Sequence, residues 1–191
     1  MLCAPPFVKT DYTVIRAALF SPGLKENAAI FTHTQGWSIM AESMLGNGDR
    51  AFEYYKSTLP AAYNDRAEIR QIEPYVYCQS TISKFHPEEG ASRLPWLTGA
   101  ATWAYYSASQ YILGVQPDYN GLVIDPCIPK AWDGFEVSRQ FRGATYHIKV
   151  TNPDGINKGV KEVRVNGSLI SGNSIPVLES GSTNTVEVVM G

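Results

Sequence analysis

Between Leu94 and Pro117 the chain carries no Asp, Glu, Lys or Arg. A charge-free stretch of that length tightly limits what a water-soluble chain can build, because a helix without a polar face needs cover on every side. Gly99 leads into Ala100-Ala-Thr-Trp103-Ala104-Tyr-Tyr-Ser-Ala108, and Gly114 closes the run. The composition predicts one helix, buried on all sides. Ala100, Ala104 and Ala108 recur every four residues and would let a neighbouring helix approach closely. A membrane span is excluded because Thr102, Ser107, Ser109 and Gln110 interrupt an apolar core that is too short. Such a helix belongs in the inner ring of a helical barrel or in the core of a large α domain.

After Gly114 the periodicity changes. Leu122–Pro126, Gly134–Phe141, Ala144–Val150, Val160–Val165 and Thr185–Val189 alternate with period two, and Gly, Asn, Asp and Pro separate them. Asn166-Gly167 is a strong hairpin signal. These segments predict an antiparallel β-sandwich, with His147 on its polar face. The chain is therefore expected to be α+β, with a helical domain over residues 1–120 and a β domain over residues 121–191. No internal repeat or low-complexity segment is evident.

Upstream, residues 36–45 and Arg50–Leu59 read as helices, the second capped by Asp49 and stopped by Pro60. Residues 61–73 alternate in charge and read as a solvated connection. Lys84–Gly90 reads as a surface loop with His86 solvated. The polar group Lys25, Glu26, Asn27, His33 and Gln35 lies in apolar surroundings just before the first helix. Free N–H groups at a helix start favour anions there. A single His before a helix is equally readable as a capping or structural group. A second polar run, Glu73-Pro-Tyr75-Val-Tyr77-Cys-Gln79, mixes aromatic, amide and carboxylate groups.

A net charge of −2 gives no basic surface for nucleic acid or anionic membrane. Cys3, Cys78 and Cys127 are odd in number and lack disulfide or metal-ligand spacing; no metal and no cofactor are expected. A reducing compartment, and hence a cytoplasmic location, fits best. The first residues lack a signal-peptide pattern. Cys3-Ala-Pro-Pro-Phe-Val-Lys-Thr-Asp11 reads as a loop already in progress, so a truncated chain is expected.

Seven strings occur in order: Pro22-Gly-x-Lys25-Glu26-Asn27, Thr32-His33-Thr-Gln35-x-Trp37, Glu73-Pro-Tyr-Val-Tyr77-x-Gln79, Trp96-Leu-Thr98-Gly99, Ile124-Asp-Pro-Cys127-Ile-Pro129, Trp132-x-Gly134-Phe and Arg142-Gly-Ala-Thr-Tyr. Together they closely resemble the C-terminal end of glycoside hydrolase family 94. That family holds cellobiose, cellobionic acid, chitobiose and laminaribiose phosphorylases. The similarity runs over the chain except for about its last twenty residues. It implies the last helices of an (α/α)6 barrel followed by a β-sandwich. It also implies phosphorolysis: a β-linked disaccharide is cleaved by inorganic phosphate with inversion, giving an α-sugar 1-phosphate. A homodimeric full-length enzyme is implied as well.

An inverting reaction needs an acid for the leaving oxygen and a nucleophile on the opposite face. Phosphate is itself an anion, so the site calls for donors where a hydrolase would place a base carboxylate. By the resemblance, His33, Thr98 and Gly99 match phosphate-binding positions. Glu26 and Gln79 match positions that bond sugar hydroxyls. Lys25 lies on the acceptor side, and Arg16 and Phe20 align with positions lining the acceptor subsite. Cellobiose-cleaving members carry Glu and Tyr where this chain has Arg16 and Phe20. A guanidinium at position 16 would suit a carboxylate-bearing acceptor, or it would pair with a protein carboxylate such as Asp11. The family's general acid is an Asp upstream of this segment, as is an arginine that completes the phosphate site. No catalytic acid is therefore assigned within these residues, and the chain alone is expected to be inactive. Two rival readings remain: a non-catalytic carbohydrate-binding or assembly module of the same fold, and a hydrolase using Glu26 or Glu73.

Overall fold

The computed structural model describes residues 4–191. Cys3, which entered the cysteine reading, lies outside them. Backbone contacts divide the chain into two compact units. The first comprises the described residues up to Trp37 together with Tyr55–Tyr105, and the second comprises Ser38–Tyr54 and Tyr106–Gly191.

In chain order, a 3-10 turn at Arg16–Leu19 precedes strand β1 (Ile30–Phe31) and helix α1 (His33–Met44). Helix α2 (Gly48–Thr58) follows, then a 3-10 segment at Pro60–Arg66 and helix α3 (Ala67–Arg70). Strands β2 (Cys78–Thr81) and β3 (Ser92–Pro95) lead to helix α4 (Ala100–Tyr106), which runs on as a π-helical stretch over Ser107–Ile112. The remaining strands are β4 (Val115–Pro117), β5 (Gly121–Ile124), β6 (Gly134–Phe141), β7 (Ala144–Thr151), β8 (Glu162–Val165), β9 (Ser168–Leu169), β10 (Ser174–Pro176) and β11 (Thr183–Val189). Helices and sheets together make the chain α+β, as the two periodicities predict.

The first unit is built on the antiparallel sheet β1-β2-β3. Its pairs Phe31↔Ser80 and Ser80↔Arg93 place β2 centrally. Ala28, Ala29, Phe31, Val76, Cys78 and Ile82 are buried around it.

The second unit contains the antiparallel sheet β10-β5-β4 and the five-stranded sheet β6-β7-β11-β8-β9. Strand alternation is strict in β7, where Ala144, Tyr146, Ile148 and Val150 are buried and His147 and Lys149 face water. Tyr146 is fully buried, and its hydroxyl accepts a hydrogen bond from the Leu178 N–H at 3.2 Å. His147 is exposed, as expected, and its Nδ1 lies 2.7 Å from the Ser138 hydroxyl. Asn166 and Gly167 both adopt positive φ, 50° and 80°, the conformation a two-residue hairpin loop requires.

Several expectations need correction. The β region is not purely antiparallel: β11 pairs parallel with β7, from Thr183↔Thr145 to Val189↔Thr151. Period two reports which face is buried but says nothing about strand direction. Residues 61–73 are mostly helical, through the 3-10 segment and α3, although largely exposed. The charge-free helix is not buried on all sides. Ala100 and Ala104 are buried, whereas Ala101 and Thr102 are open and Tyr105 is 65% exposed. Absence of charge therefore marks an apolar face, not complete enclosure. His86 is half-buried, and its Nδ1 accepts from the Glu88 N–H at 3.2 Å.

Asp49 is not the cap of α2. Its carboxylate accepts from the Lys130 N–H and from Asn157 Nδ2, both at 3.1 Å. These bonds fix the start of α2 to the chain following β5. Lys158 joins the same corner, pairing with Asp125 at 3.2 Å and donating to the Ser43 carbonyl at 3.1 Å. Burial pushes the nearby Cys127 thiol up to about 11. At Gly48 a Cβ would sit 2.2 Å from the Ile128 carbonyl oxygen, so only glycine lets the helix start approach that backbone. Gly48→Ala is expected to destabilise the protein by about 1–3 kcal/mol through overpacking. Chemical denaturation checks this, and an unchanged midpoint would show that the contact is slack.

Candidate functional site

All eight residues assigned by the resemblance fall in the first unit. His33 is the first residue of α1, three positions earlier than the periodicity placed the helix start. Its entry is set by the β1–β2 ladder, since the Thr32 N–H donates to the Gln79 carbonyl at 3.0 Å. The Gln79 side chain then reaches Lys25, whose Nζ donates to Oε1 at 2.5 Å. One strand residue thus places the start of α1 with its backbone and the lysine with its amide. Lys25 and Gln79 are separated by 54 residues in the chain.

His33 is half-buried in a run of edge-to-face rings. Its centroid lies 5.7 Å from Phe31 and 5.7 Å from Trp37, at interplanar angles of 84° and 79°. Trp37 in turn meets Trp103 of α4 at 5.9 Å and 86°. Such pairs contribute about 0.5–1.5 kcal/mol each beyond area burial. Beneath them α1 and α4 come unusually close. A Cβ on Gly36 would lie 2.9 Å from Trp103 Cβ and 3.3 Å from its carbonyl oxygen. The alanine row of α4 suggested a close approach, but the residue that permits it is a glycine on the other helix.

Thr98 and Gly99 immediately precede α4. The Thr98 hydroxyl oxygen accepts from the Ala100 N–H at 3.1 Å, which leaves its own proton available to a ligand. Gly99 is exposed, and a Cβ there would meet only Trp103 Cδ1, at 3.8 Å. Trp103 therefore links the two parts: it contacts Gly36 and Trp37 on one side and lies beside Gly99 on the other.

Arg16 and Phe20 are exposed at the ends of their 3-10 turn, and Glu26 is exposed beside Lys25. The proposed Arg16–Asp11 pair does not form. Asp11 instead accepts from the Thr13 N–H at 2.8 Å and the Thr13 hydroxyl at 2.7 Å, which lowers its carboxyl below the usual range. Among the described residues Arg16 makes no ion pair.

Two features of this region escaped the sequence reading. Asn27 is fully buried, and its amide makes three hydrogen bonds to the backbones of Phe7 and Phe20. The only sequence hint was its place in the Lys25-Glu26-Asn27 string. Second, Trp96 is 63% exposed but fixed: its Nε1 donates to Glu73 at 3.2 Å, and its ring lies 6.2 Å from Tyr75. Lys25, Ala28, Leu94 and Trp96 all hold positive φ, at 46°, 78°, 52° and 65°. Left-handed backbone at non-glycine residues is strained and concentrates at binding sites. Here it flanks both Lys25–Glu26 and the approach to Thr98.

A cavity of about 550 Å³ lies elsewhere in the first unit and touches none of the eight residues. Thr32, Gln35, Tyr77, Cys78 and Thr81 line it, together with Arg66 and Arg70. Tyr77, Cys78 and Thr81 of this segment line the cavity, whereas the Gln79 side chain reaches Lys25. Burial pushes the Tyr77 phenol up to about 12. Among the described residues no helix is long and apolar enough to cross a membrane.

Comparison with known proteins gives two adjacent family matches. The catalytic domain of the glycosyl hydrolase 94 superfamily matches residues 1–114, and the C-terminal domain of glycosyl hydrolase family 65 matches residues 116–167. Among curated relatives, an N,N'-diacetylchitobiose phosphorylase of Vibrio proteolyticus is 51% identical over 190 residues, and one of Vibrio furnissii is 45% identical over 190 residues. Both alignments cover 100% of this chain and 24% of the relative. A solabiose phosphorylase of Paenibacillus borealis is 32% identical over 187 residues, covering 98% of this chain and 24% of the relative. The chain thus spans about a quarter of the length of the curated relatives it matches.

The tight crossing at Gly36 generates a test. Gly36→Ala is expected to cost about 1–3 kcal/mol and to weaken the near-UV circular dichroism of the Trp37–Trp103 pair. An unaltered spectrum and melting curve would show that α1 and α4 do not depend on this contact.

Proposed function

The chain belongs to the glycosyl hydrolase 94 superfamily, and from that premise we propose that it supplies the phosphate side and part of the sugar side of an inverting disaccharide phosphorylase. In this reading residues 1–120 are the closing helices of an (α/α)6 barrel and residues 121–191 a β-sandwich domain. The reaction cleaves a β-linked disaccharide with inorganic phosphate to an α-sugar 1-phosphate and a free sugar.

The observation that carries the proposal is the shared dependence of α1 and the Thr98–Gly99 corner on Trp103. Through the Gly36 crossing and the Trp37 ring, His33 stands on the same local framework as the backbone of Gly99. An imidazole, a hydroxyl and an open backbone N–H form a donor set for phosphate oxygens. No carboxylate belongs to this set, which suits an anionic nucleophile. Lys25 and Gln79, already joined, are placed to meet sugar hydroxyls, with Glu26 beside them. Arg16 and Phe20 would line the acceptor side. The proton for the leaving oxygen comes from a carboxylic acid outside these residues. Glu26 and Glu73 are both exposed, and Glu73 is occupied by Trp96.

The names of two relatives, at 51% and 45% identity, make N,N'-diacetylchitobiose the disaccharide to try first. With that substrate the Arg16 guanidinium would donate to an acetamido carbonyl, a neutral acceptor, where a sugar acid would offer a carboxylate.

The test uses the complete open reading frame that encodes this segment. It should release product from N,N'-diacetylchitobiose only when phosphate is present. His33→Ala should raise the KM for phosphate and lower turnover roughly 10²-fold, as loss of one charge-stabilising donor does elsewhere. Equal turnover in phosphate-free buffer, or unchanged phosphate kinetics in the variant, would refute the assignment.

A further inference from the structure

We propose that Asn27 is the positioning residue for the acceptor side, the group that sets how tightly the released sugar is held without touching it. This rests on the phosphorylase reading above and adds a residue that neither the motifs nor the comparisons assign a role.

Asn27 is 0% exposed. Its Oδ1 accepts from the Phe7 N–H at 2.7 Å, and its Nδ2 donates to the Phe7 carbonyl at 3.1 Å and to the Phe20 carbonyl at 2.7 Å. The amide therefore saturates both of its donors with two different segments. Its own backbone is equally constrained: its carbonyl accepts from the Gly23 N–H at 2.7 Å, and its N–H donates to the Leu24 carbonyl at 2.9 Å. The side chain thus leaves a closed turn in one fixed direction.

What it holds decides its role. Phe20 ends the turn that begins at Arg16, with its N–H bonded to the Ala17 carbonyl at 3.1 Å. Glu26 and Lys25 immediately precede Asn27. Arg16, Phe20, Lys25 and Glu26, four of the five residues assigned to the sugar, therefore lie on segments that meet at this one amide. Positive φ on either side, at Lys25 and Ala28, shows that the turn sits away from its relaxed shape. Buried bonds to Phe7 and Phe20 resist that relaxation.

The phosphate side is held by different contacts. His33 depends on the Thr32–Gln79 backbone bond and the Gly36–Trp103 crossing, and Thr98 on its bond to Ala100. None of these contacts is made by Asn27, and the link between the sides, the Lys25–Gln79 bond, is a side-chain contact separate from the Gln79 carbonyl that holds Thr32. Losing the amide should therefore loosen one side of the site and spare the other.

The complete reading frame is assayed as wild type and as Asn27→Ala, in both directions, with whichever disaccharide and released sugar support turnover. The acceptor KM in the synthetic direction should rise on the order of ten-fold, the scale set by unmade buried hydrogen bonds. The phosphate KM should stay within about two-fold of wild type. If Asn27→Ala does not fold, Asn27→Ser, whose hydroxyl is too short to span both carbonyls, is read for the same split. Equal rises in both KM values, or a fall in kcat alone, would overturn the positioning role. An active wild type without the split refutes this inference only. A wild type inactive with phosphate removes the phosphorylase reading and this inference together.

Discussion

The close contact between α1 and α4 at Gly36 and Trp103 is the constraint from which the geometry of the candidate site follows. Glycine at position 36 brings the Trp103 Cβ within the distance a side chain would occupy. Trp37 can then meet Trp103 edge to face, and His33, one turn back on α1, is placed by Trp37. On the other helix the same tryptophan lies beside Gly99. Residues far apart in sequence thus owe their placement to one helix crossing. The β1–β2 ladder fixes the remaining freedom, since Gln79 holds both Thr32 and Lys25.

The proposed function ties the character of this site to the charge of its nucleophile. Phosphate arrives as an anion and needs no base, so a donor-rich site without a facing carboxylate is the sensible arrangement. The helix start that carries His33 adds a favourable dipole. Openness is part of the picture too: Gly99 is bare on its outer side, and Trp37 and Trp96 present large apolar surfaces to solvent. The cavity of about 550 Å³ in the same unit is lined by Tyr77, Cys78 and Thr81 and touches none of the eight residues.

Much of this was legible in the sequence, for identifiable reasons. Strands β6 and β7 were readable almost to the residue because alternation reports burial directly. The Asn166-Gly167 turn was readable because its backbone conformation demands those residue types. The candidate site residues stood out through ordered motifs, but the contact between Lys25 and Gln79 was not foreseen. What escaped were features set by distant partners. The parallel pairing of β11 with β7 depends on chain routing, which period two does not encode. Asp49 looked like a helix cap, yet its carboxylate is taken by Lys130 and Asn157, far along the chain. Asn27 looked like part of a ligand-binding string, and its amide turned out to be consumed by the protein's own backbone. Helix α4 was read as enclosed because it lacks charge, but one of its faces is open.

The central claim is that His33 and Thr98 act on one shared phosphate. A double-mutant cycle measures this most directly, comparing phosphate binding in wild type, His33→Ala, Thr98→Ala and the double variant of the complete protein. Two donors to one anion should be coupled by about 0.5–3 kcal/mol. Losses that add to within about 0.5 kcal/mol would mean that the two residues serve separate sites, which contradicts a common phosphate pocket.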